Sequence, residues 1–382
     1  MYETILIRFG ELSTKGKNKM SFVRQLERNM KKLMGVEPEV LFDRMFLEYS
    51  KENMKGLERI FGISSYSPVI KVKTEIESIE EAVLKLVSKF TEAKTFKIAA
   101  RRHWKKFDMS SGELNMHLGG HVLKNTELQV NVKNPDLKVE VEIRNGKSYI
   151  FCERTQGLGG YPTGINGKVL HLISGGIDSP VAAFELMKRG LHVDYLSFIT
   201  PPFTDHKTRE KVTQIVELLN KYQGKSYIHR LNYTNLMHTI GLTSKQSYKI
   251  TLMRRSFYRI ASKMAEDRGY LAVSNGENIG QVASQTLESM HTIQEQATLP
   301  ILRPILTADK IDTINKGIKI GTYEISIIPA SETCELFAPK APVTKPTPQE
   351  AYKLEEEISN LIDLEKECMD AYETEKLVYK NK

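Results

Sequence analysis

Seven consecutive residues, Ser174-Gly175-Gly176-Ile177-Asp178-Ser179-Pro180, carry the plainest chemistry in this chain. They follow a short apolar run, Val169–Ile173, and precede a helical pattern from Pro180 to Lys188. Adjacent glycines let backbone N–H groups turn toward an anion at close range. Ser179 is placed to cap the helix, and Pro180 suits its first turn. The helix start adds the positive end of its dipole, so the segment is expected to cradle phosphate. Asp178 offers the oxygen that a hard cation such as Mg²⁺ needs, or steers the phosphates; a second capping carboxylate is the plain alternative.

Two commoner nucleotide motifs are excluded. There is no GxxxxGK[ST], and Pro162 stands where the glycines of Gly157-Leu158-Gly159-Gly160 would need a last partner for a dinucleotide fingerprint. Three cysteines, Cys152, Cys334 and Cys368, are too few and too scattered for a disulfide framework or a four-thiolate metal site. A second constellation, Arg101-Arg102-His103-Trp104-Lys105-Lys106-Phe107, interleaves four fixed positive charges with two aromatics. Cations contact phosphates and aromatic faces stack on exposed bases, so Arg101, Arg102, Trp104, Lys105 and Lys106 form a candidate RNA contact; a strand end with a solvated basic loop is the bland reading. Residues 1–165 hold 28 Lys+Arg against 21 Asp+Glu, a net of +7, whereas 166–382 hold 27 against 26, a net of +1. A basic excess confined to one half suggests a polyanion-binding half beside a catalytic or structural one, or simply a basic surface.

These residues need positioning elements. Arg154–Gly167 packs five glycines and a proline into 14 residues, which reads as a linker. Before it, strand-like runs (Thr4–Phe9, Val69–Val72, Phe96–Arg101, Gln129–Val132, Val139–Arg144, Ser148–Glu153) mix with helical patterns at Lys19–Met34 and Ile79–Phe90, an α+β arrangement. After it, apolar runs at Val169–Ile173, Val193–Phe198, Tyr227–Leu231 and Tyr270–Val273 alternate with helical stretches at Pro180–Lys188, Lys207–Tyr222 and Ile250–Asp267. That alternation predicts an α/β doubly wound parallel sheet, with its ligand site beyond the carboxyl ends of the strands. From Pro348 onward the pattern predicts a charged amphipathic helical tail, with Leu354, Ile358, Leu361 and Ile362 on one side. Met1 to Gly10 reads as a strand, not a leader, and no apolar run approaches the ~20 residues that span a bilayer. The expected compartment is the cytoplasm, with no membrane association.

The whole of SGGIDSP, set between an apolar strand and a helix, resembles the PP-loop of the N-type ATP pyrophosphatases. That resemblance implies cleavage of ATP between its α- and β-phosphates, transfer of AMP and release of pyrophosphate. Further motifs narrow the resemblance to the tRNA 4-thiouridine synthetases, or tRNA sulfurtransferases, of the ThiI family. They are Arg8-Phe9-Gly10-Glu11-Leu12 with Thr14-Lys15-Gly16-Lys17-Asn18; Phe96-Lys97-Ile98 and Gly119-Gly120-His121-Val122-Leu123; Met253-Arg254-Arg255; Gly276-Glu277 with Gly280-Gln281-Val282-Ala283-Ser284-Gln285-Thr286; and Pro339-Lys340-Ala341-Pro342-Val343-Thr344-Lys345-Pro346. The chain departs from the family pattern at Asn278, where a serine is expected.

The resemblance implies a ferredoxin-like domain at 1–53, a THUMP RNA-binding domain at 54–155, a linker at 156–167 and a PP-loop pyrophosphatase domain at 168–382. It implies ATP contacts from Leu172, Ile173, Ser174, Gly175, Gly176, Asp178, Ser179, Ser197, Phe198, Arg254, Gly276 and Gln285. By periodicity alone Leu172, Ile173 and Phe198 are core residues. Lys310 matches a lysine the family uses in catalysis, although by sequence it is a solvated lysine in a helix first turn. Cys334, in Ser331-Glu332-Thr333-Cys334-Glu335, falls where the family carries its catalytic cysteine; a lone cysteine otherwise reads as a small buried hydrophobe. Its acidic neighbours disfavour a thiolate, which suits a persulfide received from a cysteine desulfurase. The implied reaction adenylylates uridine at tRNA position 8, then replaces O4 with sulfur to give 4-thiouridine, with a link to thiazole formation in thiamine synthesis. A homodimer is implied, and the chain resembles the short form without a rhodanese domain. Rival readings are another PP-loop enzyme, modifying a different base or amidating an acid, and an RNA-binding protein that does no chemistry.

Overall fold

The computed structural model describes residues 2–41, 43–204, 206–330 and 337–380. The chain divides into two units, 1–160 and 161–382.

In the first unit, strands β1 (Thr4–Phe9), β2 (Glu39–Val40), β3 (Arg44–Glu48), β4 (Ile63–Lys73), β5 (Thr95–Arg102), β6 (Gln129–Val130), β7 (Leu137–Arg144) and β8 (Lys147–Phe151) run in the order β2-β3-β1-β4-β8-β7-β5-β6, with β9 (Thr155–Gln156) on β4. The helices that pack on this sheet include α1 (Lys19–Met34), α3 (Ile76–Val87) and α4 (Ser111–Asn125), while α2 (Lys51–Leu57) is a short connector. β4 belongs to both parts of the sheet. Its residues up to Val69 pair with β1, and Ile70 to Lys73 pair with β8. The sequence pattern starts this strand only at Val69, and the five residues before it, 64–68, hold three serines and a proline, which are not typical of a strand interior. Pairing with β1 overrides local propensity there. The two parts also pack on each other: the Arg8 guanidinium lies 4.6 Å above the Phe151 ring, and Phe46 stacks on Tyr149 at 4.7 Å. Between them sits a buried carboxylate, Glu142, beside Arg8, Arg44 and Arg144. Arg8 is therefore a packing residue, joined to Ser67 Oγ at 2.9 Å.

The second unit follows the predicted alternation. β10 (Lys168–Leu172), α5 (Asp178–Lys188), β11 (His192–Ile199), α6 (His206–Leu219) and β12 (Lys225–Asn232) lead through α7 (Thr234–Gly241) to the long α8 (Lys249–Asp267). β13 (Val273–Ser274), α9 (Leu287–Gln294), β14 (Ile301–Leu302), α10 (Lys310–Ile320) and α11 (Tyr323–Ser326) follow. The sheet order is β14-β13-β10-β11-β12-β15, parallel throughout except for β15 (Glu373–Val378), which joins β12 antiparallel. Helix α8 buries Leu252, Met253, Phe257, Ile260 and Ala261 against Leu170, Leu196 and Leu231 of the strands. Each large apolar side chain buried this way contributes about 1.5–3 kcal/mol, so α8 anchors the fold and with it the site at the strand ends.

The tail differs from the single helical pattern read in the sequence. It forms two helices, Pro348–Glu356 and Leu361–Asp370, and ends in β15. Leu354 and Leu361 are buried, but Ile362 is exposed, since the break near Ile358 turns the second helix to a new face. Glu355 and Glu365 reach Arg255 and Arg259 of α8, locking the tail onto the domain. No helix among the described residues is long and apolar enough to cross a membrane.

Candidate active site

The loop Ser174–Ile177 sits between the end of β10 and the start of α5. Ser179 does not cap α5 as its position suggested, because the helix already begins at Asp178. Its hydroxyl turns back instead, accepting from the Ser174 N–H at 3.0 Å and lying 3.2 Å from the Ser174 carbonyl, which draws the loop into a closed ring. The Gly176 N–H donates to Ser174 Oγ at 3.3 Å, and its carbonyl accepts from Ser326 Oγ at 3.2 Å. His171, fully buried on β10, supports this ring from below. A carbonyl only accepts, so His171 Nε2–H donates to the Ser179 carbonyl at 2.9 Å, and Nδ1 accepts from Ser274 Oγ at 2.8 Å. Burial pushes the imidazole down to about 4, so the ring is neutral.

Gly276 explains why a glycine follows β13. A Cβ there would lie 2.7 Å from the Ser179 nitrogen and 2.8 Å from the Asp178 carbonyl carbon, so only a bare backbone can sit against the loop. Asn278, the departure from the family pattern, spends its amide on the carbonyls of Ile305 and Ala308.

A cavity of about 300 Å³ opens above the strand ends. It is lined by Leu172, Ile173, Ser174, Gly175, Asp178, Ser179, Ser197, Phe198, Arg254, Gly276 and Gln285, which covers every nucleotide contact expected from sequence except Gly176. One wall is apolar. Phe198 stacks on Phe257 with centroids 3.8 Å apart and planes 5° from parallel, and Leu172, Val212 and Ile250 extend the surface. Such a wall suits a flat base. Gln285 Oε1 is buried there without a hydrogen-bond partner, an acceptor that a ligand amine or hydroxyl would satisfy. The same cavity is lined by the loop, Arg254 and Asp178, the groups an anion needs. The residues present therefore fit a nucleoside triphosphate.

Lys310 Nζ contacts both carboxylate oxygens of Asp178, a cavity residue, at 2.7 and 3.0 Å. Asp309 caps α10 by accepting from the Ile311 N–H, and so aims the preceding turn at the loop. Gln281 Nε2 donates to Asp178 Oδ2 at 2.7 Å. No group of three or more His, Cys, Asp or Glu side chains that could hold a metal ion is found among the described residues. Asp178 alone would suit a Mg²⁺ held mainly by phosphates and water.

Sequence reasoning missed Gln281 as a partner of Asp178, and Glu277, Phe257, Tyr258, Arg209 and Arg230 as cavity residues. Gln281 and Glu277 lay inside quoted motifs. Phe257 and Tyr258 are indistinguishable by periodicity from core, and Arg230 reaches the cavity floor because Glu375 of β15 and Thr213 hold it. Cys334 lies outside the described residues. Cys368 is buried and donates to the Asn232 carbonyl, and burial pushes its thiol up to about 12. Cys152 packs beside the core of the first unit with its thiol likewise pushed up to about 12. In that unit Arg101, Lys105 and Lys106 are exposed, whereas Arg102 donates to the Phe107 carbonyl and Trp104 packs against the core.

Residues 164–360 match the Thiamine biosynthesis protein (ThiI) family, residues 73–153 the THUMP domain and residues 4–67 the ThiI ferredoxin-like domain. A "Probable tRNA sulfurtransferase" of Mycoplasmopsis agalactiae is 55% identical over 370 residues, covering 97% of either chain. One of Mycoplasmopsis pulmonis is 50% identical over 98% of this chain and 100% of its own. Among solved structures, a 4-thiouridine synthetase in complex with RNA and bound ATP is 36% identical, with a TM-score of 0.91 over 99% of this chain and 100% of that one. A Pyrococcus horikoshii structure shares the fold, at 24% identity and a TM-score of 0.67 over 84% of this chain and 99% of that one.

Proposed function

The chain belongs to the ThiI family, and from that premise we propose that it is a tRNA sulfurtransferase that uses ATP to convert a tRNA uridine to 4-thiouridine. The family resemblance read in the sequence is borne out, as is the order of α+β modules followed by a parallel-sheet PP-loop domain. One observation carries the reading for this site: a single cavity is lined both by Ser174, Gly175, Asp178 and Ser179 of the loop, with Lys310 bonded to Asp178, and by the aromatic and aliphatic side chains of Phe198, Phe257, Leu172 and Ile250.

ATP, when bound, supplies the adenylyl group. The loop amides and the start of α5 hold its outer phosphates, and the Phe198–Phe257 wall receives the base. Lys310 stabilises negative charge as uridine O4 bonds to the α-phosphorus and pyrophosphate leaves. Asp178 orients Lys310 and would offer a carboxylate oxygen to a Mg²⁺ that travels with the phosphates. O4, now part of an AMP leaving group, is displaced at C4 by the outer sulfur of a persulfide on Cys334, loaded by a cysteine desulfurase; a thiol reductant then cleaves the resulting Cys334–S–S–C4 disulfide, releasing 4-thiouridine and the Cys334 thiol. The basic first unit, with Arg101, Lys105 and Lys106 exposed, binds the tRNA. Uridine at position 8 as the target, a homodimer, a cytoplasmic setting and sulfur donation to thiazole synthesis complete the proposal.

The test is incubation with ATP, Mg²⁺, sulfide and unmodified tRNA. Pyrophosphate release that requires tRNA, with the absorbance of 4-thiouridine, is the expected outcome; ATP turnover indifferent to tRNA refutes it. With persulfide as donor, Cys334→Ser retains pyrophosphate release and forms no thiouridine.

A further inference from the structure

We propose that Glu277 is a positioning residue for the adenylylation step, holding the Arg254 guanidinium in the lining of the cavity that it shares with the phosphate loop. The assignment deepens the function given above and rests on it.

Glu277 follows Gly276, whose missing side chain brings this segment against the phosphate loop. Its side chain is 2% exposed, yet it carries a carboxylate. Oε1 accepts from Arg254 Nη2. Oε2 accepts from Arg303 Nε at 2.6 Å and from the Tyr258 hydroxyl at 3.1 Å. Tyr258 in turn accepts from Asn275 Nδ2 at 2.5 Å, and Asn275 Oδ1 receives the Glu277 N–H at 3.0 Å. Every polar face of the acid is therefore engaged. Burial opposes ionisation, but the Arg254 and Arg303 guanidiniums outweigh it and hold the carboxyl below its usual range.

The consequence falls on Arg254. Its other terminal nitrogen, Nη1, donates to Ser284 Oγ at 3.0 Å, in the same segment that sends Gln281 to Asp178. A free arginine has large side-chain rotamer entropy, most of which is lost when both ends of its fork are fixed. Here that ordering is done before substrate arrives. A donor preset where charge develops needs no reorganisation during the reaction, and an error of about 1 Å in such a group costs on the order of 100-fold in rate. A merely structural acid would neutralise Arg303 and leave catalysis alone.

A double-mutant cycle separates the two. Wild type, Glu277→Gln, Arg254→Ala and the double variant are compared for tRNA-dependent pyrophosphate release, reading kcat and the KM for ATP, with thermal melts confirming folded protein. The expected result is a loss of about 100-fold in kcat/KM for Glu277→Gln, mostly in kcat, and a double variant no worse than Arg254→Ala alone, since the acid acts through the arginine. Losses that multiply in the double variant, or a folded Glu277→Gln with wild-type kcat, overturn the assignment while the function stands. A wild-type chain that releases no pyrophosphate takes both down. If Glu277→Gln does not fold, Glu277→Asp goes through the same cycle, with the same outcomes decisive.

Discussion

Gly276 shows what a single residue decides at this site. Its backbone touches the Asp178–Ser179 peptide, so Gly276→Ala forces that peptide to shift. The shift is small, but the phosphate-binding amides move with it, and a loss of about 100-fold in tRNA-dependent pyrophosphate release is expected without unfolding. Steady-state kinetics beside a circular dichroism melt check this; undiminished turnover would show that the contact is idle. His171 sets an acid limit on the same ring. Its folded pKa, about 4, lies below the ordinary 6.5, so the unfolded chain binds more protons between those values. Stability is therefore full above pH 6.5 and declines as pH falls toward 4, by about 3 kcal/mol from this residue. His229, also pushed down to about 4, acts in the same window. Acidic groups held low, such as Glu277, lose their contribution only as pH falls from the ordinary carboxylate pKa downward. Urea melts at pH 7 and pH 5 should show the decline in wild type and a flatter profile in His171→Gln.

At the scale of elements, helix α8 links the site to the tail. Its apolar face packs on the sheet, Arg254 reaches the cavity, and Arg255 and Arg259 grip Glu355 and Glu365. Arg255 is fully buried, and Glu355 contacts both arginines. Glu355→Ala leaves those charges without their shared partner, and stripping one member from a buried pair costs about 3–5 kcal/mol. Chemical denaturation should show that loss; a change within about 0.5 kcal/mol, the range of ordinary surface substitutions, would mean the tail is not fastened there. Sequence reasoning read α8 correctly as a helix and could not assign these arginines. Their partners lie about 100 positions away, and periodicity carries no information about which charge a folded chain will meet. The same limit hid β15, whose register on β12 is a tertiary pairing with little local signature.

For the whole molecule, the charge imbalance between halves leads to a measurable expectation. Replacing Lys105 and Lys106 with Gln should weaken tRNA binding by the full-length protein across all tRNA sequences, and lower the slope of log K against log salt by about 1 for each phosphate contact removed. Filter binding from 50 to 300 mM salt tests this, and an unchanged slope places the RNA elsewhere.

From its residues alone, the chain showed the strand–helix alternation and a loop expected to cradle phosphate, because loop chemistry and hydrophobic period are written locally; its motifs carried the resemblance to the family that the comparisons show. Only the tertiary structure decided that Lys310 faces Asp178, that Ser179 closes a ring rather than capping a helix, and that Phe257, stacked on Phe198, lines the cavity as well as the core. Each of those depends on the packing of segments distant in sequence, and the chain's local order does not encode which distant atoms come into contact.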